Sequence, residues 1–231
     1  MLRLAHRGDW RRDPENSIAA FRAAMEVPAC DGVELDVRLS GEGTPVVIHD
    51  ATLARVQRLP GRVSDLDDAA LEAAGEPTLA STLAAVPADA FLDVELKGDD
   101  HAAATAGIMR AARGDAPAHA IVSSFDPPTL VTMRELLPDW PRWLNADDLA
   151  PETLSLALGL GCVAVSIRWQ AVTPETMRRA REAGIEVAAW TVRRTATAER
   201  LERLGVVACC VEGPALEGPA LDDGGPVARP G

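Results

Sequence analysis

The sequence predicts one α/β domain, a closed (β/α)8 barrel with a short hairpin-like excursion after its second strand. Three observations point there. Short apolar runs alternate with longer segments of helical period to the end of the chain. No G-x-G-x-x-G loop follows the first apolar run, which argues against the main competitor, an open dinucleotide-binding sheet. The length of 231 residues, with 47% apolar and 25% charged, suits one such barrel.

The elements follow in order. Leu2 to His6 reads as the first strand. Pro14-Glu15-Asn16-Ser17 opens a helix with Ile18, Phe21 and Met25 on one face. Gly32 to Leu39 is the second strand. The turn-rich Ser40-Gly41-Glu42-Gly43 separates it from a further extended run, Pro45 to His49, which is the excursion. Thr78 to Val86 is helical, Phe91 to Lys97 is the third strand, and His101 to Arg113 is a helix stopped by Gly114. Ala120 to Ser124 is a strand, and Pro127 to Leu137 a helix ending before Pro138. Arg142 to Asn145, a helix over Pro151 to Leu160, and a strand over Val163 to Ile167 keep the rhythm. Thr173-Pro174-Glu175 supplies an N-cap, a first-turn proline and an acid at the positive end of the helix dipole; Gly184 closes that helix. Glu186 to Val192 is the seventh strand, Thr197 to Leu204 a helix ended by Gly205, and Val206 to Val211 the eighth strand. Residues 1–216 are assigned to the barrel. Glu217 to Gly231, rich in Gly, Pro and Asp, is expected to be a flexible tail.

Charge narrows the partners. The formal net charge of −12 repels nucleic-acid backbones and anionic lipid surfaces, so we expect no nucleic acid and no stable membrane association. A small anion is still admissible where local cations or a metal reverse the sign. Cys30, Cys162, Cys209 and Cys210 lack zinc-ligand spacing and read as reduced core residues. With no apolar signal run after Met1 and no run of 18 apolar residues, we expect a cytoplasmic protein. The oligomeric state is open.

In a parallel barrel the chemistry collects where strands end. The first strand ends in His6-Arg7-Gly8. The second carries Glu34 and Asp36, the excursion ends in His49-Asp50, and the third holds Asp93, Glu95 and Lys97. Residues two apart share a face, so Glu34 and Asp36 project together, as do Asp93, Glu95 and Lys97. Buried carboxylates are costly unless protonated, paired or bound to a cation. One reading is an all-oxygen cage for a hard divalent ion, Mg²⁺, Ca²⁺ or Mn²⁺. The other is a set of salt bridges to Lys97 and the arginines. Two histidines at the ends of neighbouring elements can divide proton removal and proton supply, which suits transfer at phosphorus. Arg7 and Lys97 would hold phosphate oxygens. His101 and His119 lack such company and receive no role.

The ordered set His6-Arg7-Gly8, Pro14-Glu15-Asn16-Ser17, Glu34-Leu35-Asp36-Val37 and Pro45-Val46-Val47-Ile48-His49-Asp50 resembles the opening of the glycerophosphodiester phosphodiesterase family. Pro77-Thr78-Leu79, Glu95-Leu96-Lys97, Ser124-Phe125 and Trp190-Thr191-Val192 continue the likeness. The resemblance implies a TIM barrel that hydrolyses glycerophosphodiesters to glycerol 3-phosphate and an alcohol. It implies Glu34, Asp36 and Glu95 as ligands of one divalent ion and His6 and His49 as the acid–base pair. Arg7 and Lys97 become phosphate contacts, and Trp190 an aromatic beside the substrate. It also implies attack by the glycerol 2-hydroxyl, giving a cyclic phosphate that water opens. The alternatives are a phospholipase D-like or cyclising lyase acting on lipid headgroups, and a non-catalytic phosphodiester-binding barrel.

Departures from the family pattern are Ser17 in place of Thr, an altered stretch from Val56 to Gly61, and a last strand ending Val211-Glu212-Gly213-Pro214 where Thr-Asp-x-Pro is usual. We expect the last of these to act on the barrel seam, with a risk to activity.

Overall fold

The computed structural model describes residues 1–98 and 102–218. His101 and the expected tail beyond residue 218 lie outside the described residues. The strands are β1 (Leu2–His6), β2 (Gly32–Leu39), β3 (Pro45–Val47), β4 (Phe91–Leu96), β5 (Ala120–Ser124), β6 (Arg142–Ala146), β7 (Ala164–Arg168), β8 (Glu186–Val192) and β9 (Ala208–Val211). The α-helices are α1 (Ile18–Met25), α2 (Asp68–Ala73), α3 (Leu79–Ala85), α4 (Ala102–Arg113), α5 (Pro127–Leu136), α6 (Pro151–Gly159), α7 (Pro174–Ala183), α8 (Thr195–Leu204) and α9 (Pro214–Glu217).

Eight strands run parallel in the order β1-β2-β4-β5-β6-β7-β8-β9, and β9 pairs with β1 to close a (β/α)8 barrel. β3 lies antiparallel on the end of β2, pairing Val37 with Val47, and is the expected excursion. Closure removes exposed sheet edges, and the helices cover the outside, so both faces of each strand are enclosed. Outward-facing Val33, Leu35 and Val37 of β2 and Leu92, Val94 and Leu96 of β4 join Phe21, Leu83, Met109 and Met133 in the main core.

The barrel interior changes character with height. Its lower layer is apolar: Leu4, Ile121, Trp143, Ala164, Ala188 and Ala208 form a separate cluster. Two residues further along the same strands, on the same face, stand His6, Ser123, Asn145, Ser166, Trp190 and Cys210. From β2 and β4 the same step goes from Gly32 and Phe91 to Glu34 and Asp93. The glycine is forced there, because a Cβ on Gly32 would lie 2.0 Å from the Phe91 carbonyl oxygen. The apolar floor therefore carries a polar layer at the C-terminal mouth.

Some details differ from expectation. The eighth barrel strand starts at Ala208, not Val206, because Gly205 (φ 91°) ends α8 and Val206 N–H donates back to Leu201. α8 begins at Thr195, two residues early, with Thr197 N–H bonded to Arg194. α2 was not foreseen. It packs Leu71 against Val46, Ile48, Leu53 and Val63, a small core of its own beneath the excursion. Glu217, assigned to the tail, belongs to the short helix α9.

The turn after β1 shows why Gly8 follows Arg7. Both residues are left-handed, φ 61° at Arg7 and 82° at Gly8, and a Cβ on Gly8 would lie 2.7 Å from the Ala20 carbonyl carbon. Gly8→Ala should therefore lower stability by about 1–3 kcal/mol in a denaturant melt, from backbone strain and the clash with α1 together. An unchanged midpoint would mean that the turn does not hold α1 this closely.

Candidate active site

The register of β1, β2 and β4 assembles the site. His6 pairs with Glu34, Glu34 with Asp93, and Asp36 with Glu95. One oxygen each from Glu34, Asp36 and Glu95 lies within 4.8 Å of the others, and all three residues are buried. The structure thus brings together the three acids named from sequence. Asp93 sits below them and accepts from Ser123 Oγ at 2.6 Å.

The competing salt-bridge reading is realised for Asp36 and Glu95. Lys97 Nζ is 2.8 Å from Asp36 Oδ1 and also contacts Glu95. Arg7 Nε is 3.1 Å from Asp36 Oδ2, and Asn16, to which no role was assigned, donates to the same oxygen at 2.9 Å. Glu34 is different. Its Oε2 accepts the Arg7 backbone N–H at 3.1 Å, but its buried Oε1 has no hydrogen-bond partner among the described residues. An orphaned buried carboxylate oxygen beside two further acids is the donor set a hard cation fits.

The electrostatics agree. Burial, followed by the charges of Asp36, Glu95 and Asp93, pushes the Glu34 carboxyl well above its ordinary range. Burial and then the Asp36 charge push Glu95 up to about 7. Burial works on Asp36 too, but Lys97 and Arg7 outweigh it and hold that carboxyl below the usual range.

Each expected histidine has an acid at Nδ1. His49 Nδ1 is 2.7 Å from Asp50 Oδ1, and His6 Nδ1 is 2.5 Å from Glu212 Oε1. Each acid in turn meets an arginine at 2.6 Å, Arg55 on Asp50 and Arg193 on Glu212. His6 Nε2 faces inward, 3.9 Å from Glu34 Oε2. Arg55 also donates to Glu15, and Glu15 accepts from Arg7, so the loop after the excursion is tied to the phosphate-contact candidate.

A cavity of about 160 Å³ opens over these groups, lined by His6, Arg7, Glu34, His49, Glu95 and Lys97 and walled by Phe125 and Trp190. The Phe125 and Trp190 rings meet edge-on at 5.5 Å, and Trp190 Nε1 donates to the Ser166 carbonyl at 3.0 Å. A roomier groove of about 600 Å³ between α3 and α4 has, among the described residues, one charged side chain, Arg113, and none of this chemistry. His119 precedes β5, at the opposite end of the barrel.

Residues 6–216 match the glycerophosphoryl diester phosphodiesterase family. A glycerophosphodiester phosphodiesterase of Caldanaerobacter subterraneus subsp. tengcongensis is 31% identical over 89% of this chain and 91% of its own. Among solved structures, a glycerophosphodiester phosphodiesterase of Agrobacterium tumefaciens aligns with TM-score 0.81 at 25% identity, over 94% of this chain and 98% of that one. An Oleispira antarctica phosphodiesterase, solved with the product sn-glycerol-3-phosphate, aligns with TM-score 0.80 at 24% identity over 91% and 92%.

The crowded acids set a pH dependence. Free in solution a glutamate titrates near about 4.3, whereas Glu95 in the fold is pushed up to about 7. A carboxyl raised in the folded state supports folding while protonated, and that support is lost as pH rises through the folded value. A divalent ion needs the deprotonated oxygens and relieves their repulsion. Saturating Mn²⁺ should therefore raise the melting temperature more at pH 8 than at pH 5, and Glu34→Gln should remove most of the shift. Equal shifts at both pH values would place binding elsewhere.

Proposed function

The chain belongs to the glycerophosphoryl diester phosphodiesterase family, and on that footing we propose that it hydrolyses small glycerophosphodiesters to glycerol 3-phosphate and an alcohol. The observation that carries the reading is the geometry at the mouth: three acids sharing one centre, with two acid-backed histidines and two cations lining the same cavity.

Glu34, Asp36 and Glu95 would hold one divalent ion, Mg²⁺ or Ca²⁺, with Mn²⁺ also suited to an all-oxygen set. Bound there, it would offset negative charge on the phosphate oxygens. Arg7 and Lys97, the two cations that line the cavity beside the acids, would contact the phosphate oxygens. Of His6 and His49, one takes the proton from the attacking hydroxyl and the other returns one to the leaving alkoxide. The glycerol 2-hydroxyl is the proposed nucleophile, with water opening the resulting cyclic phosphate. The Phe125–Trp190 wall flanks the substrate and excludes water from that side.

Among the described residues no helix is long and apolar enough to cross a membrane. A cytoplasmic location is supported by the four cysteines, all free. A small-molecule substrate suits the cavity's size.

Glycerophosphocholine and glycerophosphoethanolamine, incubated with chelator and then with Mg²⁺, Ca²⁺ or Mn²⁺ restored singly, should release glycerol 3-phosphate only with metal. No product with any ion would contradict the reading. His49→Ala should lower kcat by about 10²–10⁴-fold and change KM far less, because its work is in the transition state. Unchanged turnover would remove His49 from the acid–base pair.

A further inference from the structure

The altered end of the last strand does more than seal the barrel. Val211 of β9 pairs with Ala5 of β1, so the next residue, Glu212, arrives beside His6. The Glu212 backbone N–H is fixed by the Val192 carbonyl at 2.9 Å, and its side chain is buried. One carboxylate oxygen is 2.5 Å from His6 Nδ1, and the other accepts from Arg193 Nε at 2.6 Å. We propose that Glu212, oriented by Arg193, is the positioning residue for His6. It accepts the hydrogen bond from Nδ1–H and thereby leaves the lone pair on Nε2, the nitrogen that faces Glu34 and the cavity. The proposal rests on the phosphodiesterase reading for what His6 does, but not for how its ring is held.

The arginine makes the proposal sharp. A carboxylate offers an acceptor on both sides, whereas an amide offers one oxygen and one NH₂ group. In Glu212→Gln, Arg193 claims the oxygen, because it can only donate. The NH₂ group is turned toward His6 and donates to Nδ1, which drives the ring proton to Nε2. This is the wrong-tautomer effect of an acid-to-amide change behind a catalytic histidine. The substitution keeps shape and reach, so a purely structural role would leave both turnover and tautomer unchanged.

The test combines turnover, with metal supplied, and ¹⁵N spectra of the His6 ring at alkaline pH. Wild type should carry its proton on Nδ1. Glu212→Gln, confirmed folded by its thermal melt, should carry it on Nε2 and lose roughly 10- to 1,000-fold in kcat with KM little changed. Adding Arg193→Ala to Glu212→Gln frees the amide to turn and should recover part of both signals. Glu212→Ala offers a second check, because it leaves Nδ1 with no acceptor and should also lower kcat at least tenfold. Wild type with its proton on Nε2, or Glu212→Gln with wild-type turnover and tautomer, would overturn the proposal. So would Glu212→Ala with wild-type turnover. The nitrogen spectra need no substrate. A wild type that releases no glycerol 3-phosphate but shows the ring response would sink the hydrolase reading alone.

Discussion

Burying carboxylates side by side is the constraint around which the mouth of this barrel is built. Glu34, Asp36, Asp93 and Glu95 stand on two adjacent parallel strands, and their register admits no escape to solvent. Ionised together in a low dielectric, they would repel strongly. The fold answers in three ways. Asp36 is neutralised by Lys97 and Arg7, Asp93 is held by the Ser123 hydroxyl, and Glu34 keeps an oxygen without a hydrogen-bond partner among the described residues, which a divalent ion would satisfy. A divalent ion held there would offset that repulsion.

The rest of the mouth is braced against that centre. Arg55 reaches both Asp50 and Glu15, so one exposed guanidinium orients the acid behind His49 and the acid that grips Arg7. Arg193 does the corresponding work on the far side through Glu212. The two histidines thus share a design, an arginine, a carboxylate and Nδ1, built from different parts of the chain. Such bracing limits the reorganisation needed when charge develops on a bound phosphodiester.

Much of this was legible in the sequence because it depends on local pattern. Alternating apolar runs gave the barrel, and two-residue periodicity put Glu34 with Asp36 and Asp93 with Glu95 on common faces. The Asn16 bond to Asp36 was not legible, since it needs the turn before α1 folded onto β2, and neither was the small core around α2, which packs against the excursion. The partnership of Glu212 with His6 was hidden for a stronger reason. The two are 206 residues apart and meet only because the last strand closes on the first. The substitution of Asp by Glu at that place was visible, but what the longer acid reaches was not.

The cage is tested most directly by anomalous scattering from crystals soaked in Mn²⁺. One peak bonded to carboxylate oxygens of Glu34, Asp36 and Glu95, at roughly the 2.0–2.6 Å separations of hard-cation sites, is the required result. A peak held by other residues, or none at a concentration that restores activity, would contradict the cage and remove the centre on which the proposed catalysis depends.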